Sequence, residues 1–117
     1  MQPKTRFITN GITVTSEFDV DLVQGMPAIN FDGASHSLYC NRSEVVIDGR
    51  RFIKLIEGDE GTIVEINFSE FTTRFHEDVQ LEEVTISPAG HSIIIYAYLM
   101  DDEGYFFIDS VIIEEEK

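Results

Sequence analysis

The chain of 117 residues has few of the residues that build covalent, metal or membrane sites. It contains one cysteine, Cys40, so neither an internal disulfide nor a paired-cysteine redox centre is available. The longest apolar run, 93–100, is too short to cross a bilayer. The segment Met1–Arg6 lacks the apolar stretch of a secretory signal. We therefore expect a reducing, cytoplasmic setting and no membrane partner.

Catalytic and cofactor-binding motifs are also missing. The histidines, His36, His76 and His91, stand in neither an H-x-H nor an H-E-x-x-H spacing, so a zinc site has no support. The pattern that begins at Asp19 lacks the glycine of a calcium-binding loop, and no phosphate-binding glycine motif occurs. We expect a non-enzymatic protein without catalytic residues, metal or cofactor. Weak Ca²⁺ binding by acidic loops, or a small-molecule-binding β-protein, stays an open alternative.

Positive charge is scarce and unevenly placed. Twenty-two Asp and Glu against eight Lys and Arg give a net charge of -14. Residues 1–54 balance six acids with six bases, whereas residues 55–116 contain sixteen acids and one base, Arg74. This sign of charge opposes direct binding to nucleic acid or an anionic membrane, and a partner steered by charge should be basic. Soluble surfaces usually mix both signs, so the nearly base-free stretch predicts a function for its acids.

The distribution of turn residues and apolar runs predicts a single domain, 1–117, of mainly β to α+β class. Runs rich in β-branched and aromatic residues are separated by pairs that suit two-residue hairpin turns. The runs 92–100 and 105–113 are apolar at nearly every position and are predicted to pair as a central hairpin. The turn pairs are Asn10-Gly11, Asp32-Gly33 and Asp48-Gly49.

The segment from Ser69 to Glu83 is predicted to form a short helix packed on these antiparallel β-hairpin sheets. Apolar residues recur there every fourth position, beside acids and one base at the same spacing. Thr72 and Thr73 favour a strand instead, which is the alternative. The repeating residues are Phe71, Phe75 and Val79, and Glu70, Arg74 and Asp78.

The acids predict a partner-binding surface. Glu17, Asp19 and Asp21 alternate with apolar residues, and a strand would place their carboxylates about 6.6–6.8 Å apart. Neighbouring phosphates along a DNA backbone are separated by a comparable distance, roughly twice the 3.4 Å axial rise. An ordinary amphipathic strand explains this row equally well. The other acids flank loops that meet at one end of an antiparallel sheet when they are two hairpins apart. The predicted acidic surface comprises Glu17, Asp19, Asp21, Glu57, Asp59, Glu60, Glu77, Asp78, Glu82, Glu83, Asp101, Asp102, Glu103, Glu114, Glu115 and Glu116.

In length, acidity, lack of catalytic motifs and lopsided distribution of acids, the chain resembles the bacterial DNA-mimic proteins, in particular the small neisserial type that binds the histone-like protein HU. These proteins share no motif and no single fold, so no residue is assigned by the resemblance. It implies a cytoplasmic protein that occupies the DNA-binding face of HU, competes with DNA and reaches the nucleoid through this partner.

The residues alone indicate only an acidic module for a basic partner, which we expect to act as a monomer. An immunity or anti-defence inhibitor of a specific basic enzyme, such as a nuclease, has the same electrostatics and is the alternative. Apolar anchors among exposed aromatic residues would favour that alternative, because lasting specificity usually needs them.

Overall fold

Twelve β-strands make up most of the part of the chain that the computed structural model describes, which covers residues 5–31, 33–66, 71–76, 78–90, 92–101 and 104–114. Buried and more exposed side chains alternate along most of them, the two-residue period of a strand with one dry face. No helix occurs among these residues. The strands are β1 (Thr5–Thr9), β2 (Ile12–Ser16), β3 (Val20–Val23), β4 (Met26–Phe31), β5 (Ala34–Asn41), β6 (Glu44–Ile47), β7 (Arg50–Gly58), β8 (Gly61–Ile66), β9 (Phe71–Phe75), β10 (Gln80–Ala89), β11 (Ser92–Asp101) and β12 (Gly104–Glu114).

The strands form two sheets that differ in their connections. The first sheet has the order β1-β2-β10-β11-β12, and the second is a meander from β3 to β9 without a crossover. Neighbouring strands are antiparallel, except that β2 and β10 run parallel, with Glu83 opposite Thr13 and Ile86 opposite Ser16. The described chain is therefore mainly β, as predicted, with one parallel contact between non-consecutive strands.

The two sheets pack face to face around one apolar core. Ile12 of β2 and Ile95 of β11 are fully buried in the same cluster as Ile53 of β7 and Val64 of β8. Burying a side chain of this kind stabilises the fold by roughly 1.5–3 kcal/mol. An unpaired charge is costly in an apolar core, and the acids therefore lie at the turns, the sheet edges and the outer faces.

The helix predicted from Ser69 to Glu83 is wrong. Strand β9 occupies Phe71–Phe75, and β10 begins at Gln80. β9 pairs with β8 along its whole length, so the β-branched Thr72 and Thr73 adopt the conformation that they intrinsically favour. The residues with the four-residue apolar spacing lie in β9 and in the connection that follows it.

The charged residues at i,i+4 spacing, which supported the helix prediction, have other roles in the structure. Glu70 lies outside the described residues, and Arg74 Nη1 instead lies 3.0 Å from Glu60 Oε2 in the β7–β8 turn. This ion pair links β9 to the turn that precedes its neighbour β8. An i,i+4 spacing of charges therefore does not by itself distinguish a helix from residues that pair between strands.

The two apolar strands near the C-terminus pair as predicted, but only β11 is central. β11 hydrogen-bonds to β10 on one side and to β12 on the other, whereas β12 has a single neighbour among the described strands. The outer face of β11, with Ile94, Tyr96 and Met100, is half-buried. A strand that is apolar on both faces is thus covered fully on one face only.

Positive φ angles at the hairpin turns match the turn chemistry. They are 50° and 82° at Asn10-Gly11, and 54° and 77° at Asp48-Gly49, as type I′ turns require. The third predicted turn is described only at Gly33, because Asp32 lies outside the described residues. Gln24-Gly25, at 54° and 82°, forms a turn that the sequence did not predict, since glutamine seldom adopts a positive φ.

Gly61, the first residue of β8, is the glycine that we expect to tolerate a side chain least. Its φ is 120°, and a Cβ atom would overlap the backbone carbonyl oxygen of Phe75. Gly61→Ala should lower the free energy of unfolding by about 2–4 kcal/mol through backbone strain and steric overlap, as measured by urea denaturation. Gly49→Ala is the control, because it has open space around it and should cost only about 1–2 kcal/mol. Equal losses would contradict the close approach at Gly61.

Cys40 is fully buried on β5, and burial raises the pKa of its thiol from 9.0 to about 11. The folded thiol therefore keeps its proton at a pH where the unfolded chain releases it, so stability falls as pH rises above 9. By pH 11 this group should cost roughly 2 kcal/mol of the free energy of unfolding. We expect the stability difference between the wild type and Cys40→Ala to shrink over that range in urea titrations. A constant difference would contradict the raised pKa.

Candidate acidic interface

Strand direction brings several acidic connections to one end of the sandwich. In the meander, the β5–β6 turn, the β7–β8 turn and the β9–β10 connection all lie at this end, because every second connection returns to the same side. Glu57, Asp59 and Glu60 lie at the β7–β8 turn, and Asp78 lies in the β9–β10 connection. We call this group of four carboxylates the acidic end.

The β5–β6 turn is tied to β10 by an arginine. Arg42 Nη1 donates to Gln80 Oε1 at 2.6 Å and to Glu82 Oε1 at 3.1 Å, and the Arg42 carbonyl accepts from the amide of Leu81. These bonds join the two sheets at the acidic end. Glu82 is therefore engaged within the protein and is a stabilising partner of Arg42 rather than a free carboxylate.

The end of β11 lies on the same side of the molecule. Met100 is opposite Gln80, and Asp101 is opposite Gly104 where the chain turns from β11 to β12. The backbone register thus places Asp101 near the acidic end. Glu77, Asp102 and Glu103, which were predicted to join it, lie outside the described residues.

A cleft of about 590 Å³ opens at the acidic end, between β7 and the β9–β10 connection. It opens beyond the start of β6, where Glu44 lies opposite Lys54 and the Leu55 amide donates to the Ser43 carbonyl. Residues 56–58 of β7 have no paired residue on that side among the described strands. Carboxylates and cations share its walls, and Lys54 stands across the strands from Glu44 and Glu65. The lining residues are Arg42, Ser43, Lys54, Leu55, Ile56, Glu57, Asp78, Val79 and Gln80.

Three of the four carboxylates at this end have no partner among the described residues. Glu57, Asp59 and Asp78 are exposed and make no hydrogen bond or ion pair there, whereas Glu60 binds Arg74 at the surface. An exposed pair of that kind is worth at most about 1 kcal/mol. The acidic end consequently presents three unpaired carboxylates that are open to a partner, with one lysine, Lys54, in the wall of the adjoining cleft.

The other predicted acids are not part of this surface. Glu17 lies at the opposite end, where its amide donates to the Ile86 carbonyl, and Glu83 lies on the outer face of the first sheet, opposite Thr13. Asp21 is on the edge strand β3, just after Asp19.

Glu114, the first residue of the predicted acidic tail, is also remote from the acidic end. Glu114 pairs with Ser92, at the far end of β12, and Glu115 and Glu116 lie outside the described residues. The predicted surface is therefore divided. Composition identified the acids, but the assignment of each to an end or a face depends on strand direction, which local sequence does not specify.

Sequence reasoning missed two features of the site. One is the bond network of Arg42, which lies far in the sequence from Gln80 and Glu82. The other is the β3–β4 hairpin, which carries exposed apolar side chains. The mostly apolar segments 20–23 and 26–29 on either side of Gln24-Gly25 were a usable signal for that hairpin.

No protein-family model, curated protein or solved structure gives a match to this chain. Among the residues with described side chains, no three His, Cys, Asp or Glu gather as a group able to hold a metal ion. The described residues also contain no helix with the length and apolar character needed to span a membrane.

Removing an unpaired and a paired acid should have opposite effects on stability. Asp59→Asn should raise the thermal midpoint at low salt, because it relieves repulsion at the acidic end without breaking a bond. Glu82→Gln should lower the free energy of unfolding by about 0.5–1 kcal/mol, because Arg42 loses its ionic partner. Calorimetric melts in 20 mM and 500 mM NaCl check both effects, and the benefit of Asp59→Asn should vanish in high salt. A stabilising Glu82→Gln would contradict the assigned pairing.

Proposed function

We propose that this protein is a non-enzymatic DNA mimic that binds the DNA-binding face of a basic nucleic-acid-binding protein and competes with DNA. The observation that supports this most is the acidic end, where Glu57, Asp59 and Asp78 are exposed and unpaired beside an open cleft. The arginines at that end, Arg42 and Arg74, are already bound to carboxylates of the same chain. The histone-like protein HU, suggested by the sequence resemblance, is the first candidate partner.

Carboxylates can replace phosphates because the same lysine and arginine side chains bind both, often with two parallel hydrogen bonds from arginine. A partner that normally contacts DNA finds fixed negative charges on a rigid β-scaffold, so little conformational entropy is lost on binding. The carboxylates are sparser than phosphates, which follow one another every 3.4 Å of axis on each strand. Binding should therefore weaken with salt, but less steeply than DNA binding does.

A second candidate function has an observation of its own in its favour. Leu22, Val23 and Met26 on the β3–β4 hairpin are large apolar side chains that stay exposed. Apolar anchors of this kind confer selectivity for one partner surface. They favour an immunity or anti-defence inhibitor that blocks one basic enzyme, such as a nuclease, in a stoichiometric complex.

Competition with DNA tests the first proposal. Purified HU is bound to a fluorescently labelled duplex, and the protein is titrated in at 50 mM and 150 mM NaCl while anisotropy is followed. We expect the wild type to displace the duplex at both salt concentrations. The double variant Asp59→Asn, Asp78→Asn should need roughly tenfold more protein, since each exposed charge contact contributes a few tenths to 1 kcal/mol.

The matched control removes the same charge elsewhere. Glu17→Gln combined with Glu83→Gln also takes two negative charges from the protein, but from the opposite end of the sandwich and from the outer face of the first sheet. It should displace DNA as the wild type does. If both double variants lose activity equally, net charge rather than the acidic end is responsible, and if the wild type displaces no DNA, the proposal is wrong for HU.

A further inference from the structure

The β3–β4 hairpin exposes apolar side chains in a protein that otherwise keeps most of them inside. Leu22 is 73% exposed, Met26 50% and Val23 49%, and these three residues surround the Gln24-Gly25 turn. Folding gains nothing from side chains that stay in water. Clustered at one hairpin tip, they have the character of a contact surface rather than of scattered surface residues.

The base of the hairpin is fixed to the core, so its tip is presented rigidly. Ile29 and Phe31 of β4 are buried, and the Phe18 ring packs edge-on against Phe31 with ring centroids 5.3 Å apart. β4 pairs with β3 on one side and with β5 on the other. Little ordering is therefore required when the tip meets a partner.

A positioned carboxylate stands beside the apolar tip. Asp21 shares a face of the hairpin with the directly opposed pair Val23 and Met26, because side chains alternate along a strand. Asn30 Nδ2 donates to Asp21 Oδ2 at 2.8 Å, and Ser35 Oγ donates to Asn30 Oδ1 at 2.9 Å. One carboxylate oxygen of Asp21 is thus held in place while the other remains available to a cation.

The acids on this hairpin indicate which kind of partner fits. β3 is an edge strand among the described strands, and an exposed edge invites pairing with another copy. Asp19 and Asp21 oppose that outcome, because a symmetric dimer across β3 would bring like charges together in a protein of net charge -14. The same carboxylates attract a partner with lysine or arginine around an apolar depression.

Strand direction connects this hairpin with the acidic end. β4 runs antiparallel to β5, and β5 ends at the β5–β6 turn, so the Gln24-Gly25 turn points toward the same end of the sandwich. From β3 to β7 the sheet spans four strand spacings, about 19 Å at roughly 4.8 Å each. A single basic protein can contact both regions at once.

We propose that the β3–β4 hairpin is the specificity anchor of the partner interface. The hairpin tip, with Val23 and Met26 on one face and Leu22 on the other, enters an apolar depression on a basic protein. Asp19 and Asp21 pair with cations on the rim of that depression. The inference rests on the proposed function in one respect, that the partner is a basic protein. It adds a contact that is independent of charge, which DNA mimicry alone does not require.

The test separates apolar from electrostatic contributions. Affinity for purified HU is measured by calorimetry from 50 to 300 mM NaCl for the wild type and for the double variant Leu22→Ser, Met26→Ser. We expect the variant to bind at least tenfold more weakly at every salt concentration, with an unchanged slope of log Kd against log salt. Apolar contacts release no counterions, which is why the slope should not move.

Ile8→Ser is the matched control, since Ile8 is 75% exposed on β1 of the other sheet, and its affinity should equal that of the wild type. Equal affinities for the wild type and the hairpin variant would overturn the anchor and leave the proposed function intact. Failure of the wild type to bind HU would overturn both proposals for HU as the partner. Sedimentation velocity at 100 µM tests whether the hairpin instead binds a second copy of this chain. A wild type that is dimeric while the hairpin variant is monomeric would show such a dimer and overturn the inference.

Discussion

The parallel pairing of β2 with β10 determines which acidic turns and strand ends lie at the same end of the sandwich. Among the described strands it is the one place where non-consecutive strands pair, and it joins the neutral part of the chain to the acidic part within one sheet. Because β10 runs in the direction of β2, its start at Gln80 lies next to Arg42, and β11 returns to end at Asp101 on the same side. Were β10 reversed, the end of β11 would lie far from the β7–β8 turn and the acids would be dispersed.

The apolar core and the distribution of charge on the surface both follow from the alternation of inward-facing and outward-facing side chains along the strands. Strands with a two-residue period place one set of side chains in a common apolar core, and the charged residues go to turns, edges and outer faces. The resulting self-repulsion lowers stability, and arginines offset part of it locally. Arg42 does so at the junction of the sheets, and Arg74 does so between β9 and the β7–β8 turn. Glu57, Asp59 and Asp78, three of the carboxylates that stay unpaired among the described residues, lie together at the acidic end.

Local sequence predicted the elements whose signals are local. Asn10-Gly11 and Asp48-Gly49 were identifiable because their residue types accept positive φ, and β11 and β12 because apolar runs pair. The helix at 69–83 failed because pairing with β8 overrode an accidental spacing of phenylalanines. The site was predicted only as a set of acids, since grouping Asp59 with Asp78, and excluding Glu83, follows from strand direction and from contacts distant in sequence.

The most direct test of the account is an NMR titration of the ¹⁵N-labelled protein with unlabelled HU at 100 mM NaCl. If the acidic end and the adjoining hairpin are the interface, amide shifts will concentrate in residues 22–26, 57–60 and 78–80, and excess duplex DNA will reverse them. Amides on the outer face of the first sheet, such as Thr13 and Thr85, will not move. Shifts centred on that face, or no shifts at all, would contradict the account.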